Sequence, residues 1–311
     1  MMQPAHGLPG EPATSEIWVD GADGARLRVF DTGQGPTCLL LHGFGEGAFV
    51  WHDLTRELAL SARVLAPDLR GHGGSDWTGA GSYKFSDYVA DVDGMYDRLA
   101  GPGTVLIGHS LGAAIALQIA SARGDQVRGL VLLDFSPEPD RAAVDFVHRG
   151  FAGAAAETYE SPLRYAAHLL QTRPLVSRRA VARLADASLR LRPDGRYTLM
   201  TDPAVVKDRK APSQLEIAQT WMRLRQLRAP VLLVRGQGSA LLSASTARQM
   251  IGDCAQGQLV TIPAAGHSLM WDNPEATVSA VSRFVRGLLD EPWPTGPQGN
   301  GSGQNKENKD V

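Results

Sequence analysis

Six short, continuous apolar runs, at residues 38–42, 63–67, 104–108, 130–134, 231–235 and 259–263, constrain this chain more than any other feature. Runs of that length without polar alternation are the pattern of strands buried on both faces, as in a parallel sheet. Between them, apolar residues fall at helical spacing over 51–60, 85–99, 111–123, 245–251 and 274–289. Strand and helix in alternation predict an α/β fold: a mostly parallel, doubly wound sheet with right-handed connections. Two shorter strand-like runs between Ile17 and Thr32, around Asp20-Gly21-Ala22-Asp23-Gly24, predict a hairpin ahead of it.

One interval breaks the rhythm. From Asp134 to Pro230 the composition is helical with no convincing buried strand, and its roughly 95 residues far exceed an ordinary connection. The expected organisation is therefore a core formed by residues 16–135 and 229–290, with a helical cap inserted at 136–228. Residues 1–15 read as a flexible N-terminus. Residues 291–311, rich in Pro, Gly, Asn, Gln and Lys, hold too little apolar surface to offset ordering entropy and read as a disordered tail.

The charges nearly cancel, at a formal −2, and the basic residues are dispersed. This pattern gives no electrostatic footprint for nucleic acid or an anionic membrane, so the expected partner is a small molecule. Cys38 and Cys254 lie far apart, and no disulfide is expected. The first residues lack the charged start and apolar stretch of a secretory signal, and no run approaches the length of a membrane span, so a cytoplasmic location is the default expectation.

Chemistry enters at Gly108-His109-Ser110-Leu111-Gly112, which follows an apolar run and opens an apolar helix. A G-x-S-x-G sequence in a strand–turn–helix context holds its serine on a sharp turn, exposed as a nucleophile, whereas the bare pattern would fit a helix N-cap equally well. His42-Gly43-Phe44-Gly45 ends an earlier strand in a Gly-rich turn. The N–H of Phe44, with that of Leu111 after the serine, forms the expected oxyanion hole. Gly266-His267 follows the last strand and makes His267 the candidate general base.

With Asp68-Leu-Arg-Gly-His-Gly-Gly-Ser75 added, these motifs resemble, in order and approximate spacing, those of the α/β-hydrolase superfamily, and the resemblance covers nearly everything from Ile17 to Leu289. It implies a serine-nucleophile hydrolase with a helical cap. No histidine/carboxylate cluster has metal-ligand spacing and no dinucleotide fingerprint is present, so no metal or organic cofactor is expected. The segment from Asp68 to Ser75 is expected to be structural, so His72 is not taken as catalytic. His42, Gly43, His109, Trp221 and Trp271 are the expected substrate-binding residues.

The chain departs from the family at the third catalytic member. The family usually carries its acid just after the strand matching residues 231–235, but this chain reads Gly236-Gln-Gly-Ser-Ala-Leu-Leu242, with no carboxylate. The acid fixes the imidazole tautomer and stabilises imidazolium, so its absence bears directly on activity. Asp134, at the end of the strand following the nucleophile helix, is the expected replacement, since some hydrolases of this fold carry the acid there. Ser239 holding His267 through its hydroxyl, an engineered loss of aspartate at Ala240, and the more distant Glu138 remain open.

The expected reaction is cleavage of an ester-like bond (carboxylester, lactone or thioester) through an acyl-enzyme. A carbon–carbon bond hydrolase or lyase using the same Ser–His pair is one alternative. A non-catalytic ligand-binding protein on a degenerate hydrolase scaffold is the other.

Overall fold

The computed structural model describes residues 12–208 and 211–293. The expected N-terminal hairpin is present as β1 (Thr14–Asp20) and β2 (Arg26–Gly33), paired antiparallel. β1 starts inside the stretch expected to be flexible; residues 1–11 lie outside those described. The six apolar runs form β3 (Thr37–Leu41), β4 (Arg63–Pro67), β5 (Thr104–His109), β6 (Val127–Leu133), β9 (Val231–Gly236) and β10 (Gly257–Ile262). The eight strands lie in the order β1-β2-β4-β3-β5-β6-β9-β10, parallel from β4 onward.

Every residue of β5, β6 and β9 is buried, as runs without alternation require. β10 differs from the expectation: only Ile262 is fully buried, because this strand is the sheet edge and only one of its sides is paired. Helices α1 (His52–Leu58), α2 (Phe85–Met95), α3 (Leu111–Arg123) and α9 (Ala244–Asp253) connect the strands, and α10 (Leu269–Asp272) and α11 (Pro274–Asp290) follow the last one. They divide the apolar interior into two clusters, one on each face of the sheet.

Between β6 and β9 run α4 (Arg141–Ala156), α5 (Pro162–Thr172), α6 (Arg178–Ala187), α7 (Val205–Asp208) and α8 (Gln214–Gln226). The interval also contains a small antiparallel pair that the composition did not announce, β7 (Leu189–Leu191) with β8 (Tyr197–Leu199). These strands are three residues each and mostly exposed or half-buried, so they carry no apolar run to read. The insert is tied to the core where His72 bridges Thr201 and where the Tyr83 hydroxyl donates to Asp202 at 2.6 Å.

At the other end, two of the three described residues of the expected tail are engaged. Arg128 donates to the Glu291 carbonyl and lies over the Trp293 ring, 5.7 Å from its centroid; residues 294–311 lie outside those described. Among the described residues no helix is long and apolar enough to cross a membrane.

The strand order fixes where chemistry can sit. From β3 the chain places β4 on one side and β5 on the other, so the connections leaving the carboxyl ends of β3 and β5 diverge and open a crevice. Leu41 and Gly108 are register partners at that point. Close approach demands glycine there. A Cβ on Gly108 would overlap the Gly112 carbonyl, and one on Gly112 would overlap the Leu41 carbonyl. Gly112→Ala should therefore destabilise the fold by about 1–3 kcal/mol through overpacking; a urea unfolding midpoint equal to that of the wild type would contradict this packing.

Candidate active site

Ser110 sits between the end of β5 and the start of α3 with φ 51° and ψ −110°, and its side chain makes no capping bond to the helix. A left-handed φ on a non-glycine residue costs of order 1–3 kcal/mol and persists where the surroundings over-determine it. The helix-cap reading of Ser110 therefore fails, and its hydroxyl stands on a strained turn at the crevice. Among the described residues only Ser110, Asp134 and Ala264 combine a side chain with positive φ. They lie on three loops at the carboxyl end of the sheet: after β5, after β6, and in the turn leading to His267.

Asp134 follows β6 directly, and its side chain is fully buried. His267 Nδ1 donates to Asp134 Oδ2 at 2.8 Å. An ionised carboxylate only accepts, so this bond places the imidazole proton on Nδ1 and leaves the lone pair on Nε2. The carboxylate has two further donors: the Gly236 N–H at 3.0 Å on Oδ1 and the Ser239 hydroxyl at 2.5 Å on Oδ2. Because β6 and β9 are adjacent, the carboxylate leaves one strand and is gripped by the end of the next, where the family's usual acid would stand.

The alternatives for the acid resolve differently. Ser239 does not hold His267; its hydroxyl orients Asp134 and accepts the Leu241 and Leu242 N–H groups at 3.2 and 3.1 Å. Ala240 is exposed in the same turn. Glu138 is drawn off to the Trp221 indole N–H, 2.6 Å away, at the base of the insert.

Of the residues expected to bind substrate, three are committed elsewhere. His42 is fully buried: its Nδ1–H donates to the Gly43 carbonyl at 2.8 Å and its Nε2 accepts the Leu69 N–H at 2.9 Å, while burial holds its basicity below the usual histidine range. The Gly43 N–H is spent on Glu46 Oε2 at 2.8 Å. His109 is 2% exposed, with Nδ1 on Glu46 and Nε2 on the His267 carbonyl. Sequence reading missed Glu46 altogether, because a carboxylate three residues beyond a Gly turn carries no motif until its partners are known.

The remaining two are also pinned by neighbours. Trp221 is buried against Glu138. Trp271 is buried beside the His267 loop with Phe49 edge-on to it and the Arg173 guanidinium 5.0 Å from its ring, and its indole N–H finds no partner among the described residues. The Phe44 ring meets insert residues His148 and Phe151, each at 5.0 Å between centroids. Helix α4 thus lies over the turn that carries Phe44.

The segment from Asp68 to Ser75 is a brace. Asp68 is buried and accepts the Ala48 N–H at 2.7 Å, the Gly74 N–H at 2.8 Å and the Arg28 guanidinium. His72 Nε2 accepts the Gly45 N–H at 3.2 Å. Asp272 accepts the Gly266 N–H at 2.8 Å; burial raises its carboxyl above the usual range, against the opposing pull of that bond and of nearby cations.

The fold that carries this site is shared with known proteins. The α/β hydrolase fold family matches residues 36–274. The chain belongs to the α/β-hydrolase family. It is 31% identical over 267 residues to the 2-(acetamidomethylene)succinate hydrolase of Mesorhizobium japonicum, covering 83% of this chain and 91% of that protein. It is 30% identical over 262 residues to the pimeloyl-[acyl-carrier protein] methyl ester esterase of Aromatoleum aromaticum, covering 81% of this chain and 99% of that one. A crystal structure of E-2-(acetamidomethylene)succinate hydrolase superposes with a TM-score of 0.78 at 27% identity, over 88% of this chain and 100% of that structure.

Removing the Ser239 hydroxyl strips a donor from Asp134 and an acceptor from two backbone N–H groups. Ser239→Ala should lower stability by about 1–3 kcal/mol, read as a shift in the denaturant midpoint; an unchanged midpoint would show that water replaces the hydroxyl without cost.

Proposed function

We propose that this α/β-hydrolase is a serine hydrolase that cleaves an ester-like bond through an acyl-enzyme. The observation that carries the reading is the 2.8 Å bond from His267 Nδ1 to the buried Asp134 carboxylate, which leaves the Nε2 lone pair to act as base, with Ser110 on its strained turn as the nucleophile. In the first step the Ser110 hydroxyl proton passes to Nε2, Oγ attacks the acyl carbon, and the N–H groups of Phe44 and Leu111 stabilise the oxyanion. The imidazolium then protonates the leaving group. Water, deprotonated by the same nitrogen, releases the acid and restores Ser110.

The reading of a non-catalytic binding protein rested on the empty acid position at residues 236–242, and Asp134 supplies a carboxylate to the same histidine. Substrate choice falls to the insert. Phe44 and Phe151 offer an apolar wall beside the oxyanion turn, with His148 next to them as a polar neighbour. An acyl group with an apolar body and a polar end suits that lining, and the two curated relatives named above widen the panel to a succinate derivative and a pimeloyl methyl ester.

The test is pre-steady-state and steady-state hydrolysis of p-nitrophenyl esters of graded chain length, pimeloyl methyl ester and 2-(acetamidomethylene)succinate. The wild type should show a burst that Ser110→Ala abolishes. Asp134→Asn should lower kcat by about 10⁴, the scale seen when this acid is lost in a serine protease. Ala240→Asp should leave turnover little changed, because its position is exposed and the carboxylate is already in place. Turnover seen only in Ala240→Asp would overturn the reading and make the chain a binding protein.

A further inference from the structure

His109 and Glu46 form a buried pair that the proposed acyl transfer does not itself use. Glu46 Oε2 accepts from His109 Nδ1 at 2.9 Å and from the Gly43 N–H at 2.8 Å. His109 Nε2 lies 2.8 Å from the His267 carbonyl oxygen. A carboxylate and a backbone carbonyl both only accept, so both ring nitrogens of His109 must carry hydrogen. With Glu46 ionised, the geometry requires an imidazolium, 2% exposed, paired with a carboxylate that is 7% exposed.

Three chain segments meet on this pair. Gly43 precedes Phe44 of the oxyanion turn, His109 precedes Ser110, and the accepted carbonyl belongs to His267, whose ring lies 4.7 Å from that of His109. We infer that Glu46 and His109 are positioning residues, a single buried ion pair that sets the oxyanion turn, the nucleophile and the base in register with one another. The inference rests on the reading of Ser110 and His267 as nucleophile and base.

The charges around the pair are consistent with it. Burial alone would depress the His109 imidazole, but Glu46, the His267 carbonyl and Asp134 together hold it above its usual value. Burial likewise opposes ionisation of Glu46, yet His109 and the Gly43 N–H bring its carboxyl down to about 2. The other titratable groups facing the pair are the buried His42, the His267 ring and the Asp272 carboxyl behind the His267 loop. The pair's contribution is therefore complete in mildly acidic to neutral solution. Toward acid it is lost as Glu46 protonates. Toward alkali it is lost as pH rises through the raised value of His109, when one of the two donors disappears.

The experiment is the rate at which a fluorophosphonate labels Ser110, followed by intact-protein mass spectrometry from pH 5 to 10, with kcat and KM for p-nitrophenyl acetate beside it. The proteins are the wild type, Glu46→Gln, His109→Gln and the double variant, each first shown to melt cooperatively. Glu46→Gln should label on the order of tenfold more slowly at neutral pH, the size of coupling usual for contacting groups, with kcat falling rather than KM rising. Its alkaline decline should move to lower pH, because His109 has lost the charge that holds its proton.

His109→Gln leaves Glu46 buried without a counter-charge and should be the most damaged. The double variant, a neutral pair of similar size, should recover part of that loss and supplies the measurement if a single variant does not fold. Labelling at the wild-type rate with the wild-type pH profile, in either folded Glu46→Gln or the folded double variant, would overturn the positioning role. A wild type that takes no label at Ser110 would overturn the nucleophile assignment and this inference with it.

Discussion

Parallel strands buried on both faces leave their backbone and side chains no exit except at the strand ends, and the rest of this molecule is arranged around that constraint. The chain reverses its direction of sheet growth at β3, so the loops after β3 and β5 separate and open a crevice between them at the carboxyl end of the sheet. Phe44 and Ser110 stand on either side of it. Their closeness follows from strand register, with Leu41 opposite Gly108, and from two glycines that let α3 descend onto the backbone of β3.

The same constraint explains how a carboxylate reaches His267 from a different strand. Residues 236–242 hold no carboxylate, but β6 and β9 are neighbours, and Asp134 leaves β6 in a left-handed conformation that turns its side chain toward the end of β9. Fully buried, the carboxylate requires hydrogen-bond donors, and it has three: the imidazole of His267, the Gly236 N–H and the Ser239 hydroxyl. Ser239, standing where a carboxylate is usual in the family, donates its hydroxyl to Asp134. Strain at Ser110, Asp134 and Ala264 is local to the three loops, which the buried hydrogen bonds of the Asp134 carboxylate and of the Glu46–His109 pair tie together.

Much of the fold was legible before any coordinates, because continuous apolar runs and helical periodicity report burial directly. Five of the six runs lie in strands within which all but the first residue at most is buried; the sixth, at 259–263, reads the same but is the exposed sheet edge, since edge position depends on the order of strands and not on their composition. The β7–β8 pair escaped because three-residue strands with exposed side chains have no pattern. Trp221 and Glu138, read separately as a substrate wall and a distant acid, are each other's hydrogen-bond partners across 83 positions of chain.

What the sequence determined by itself is the set of elements and the identity of the chemically capable residues: a parallel α/β sheet, a serine on a strand–helix turn, a histidine after the last strand, and an aspartate at the end of an interior strand. Local patterns carry that information because backbone conformation and burial are decided over a few neighbouring residues. Only the tertiary structure decided which of these residues meet. It brought Asp134 to His267, withdrew His42, Gly43 and His109 from the expected substrate surface, and brought Glu46 to His109. The reason is that a buried hydrogen bond depends on register between strands far apart in the chain, and on the need of every buried polar group for a partner, neither of which is written at any single position.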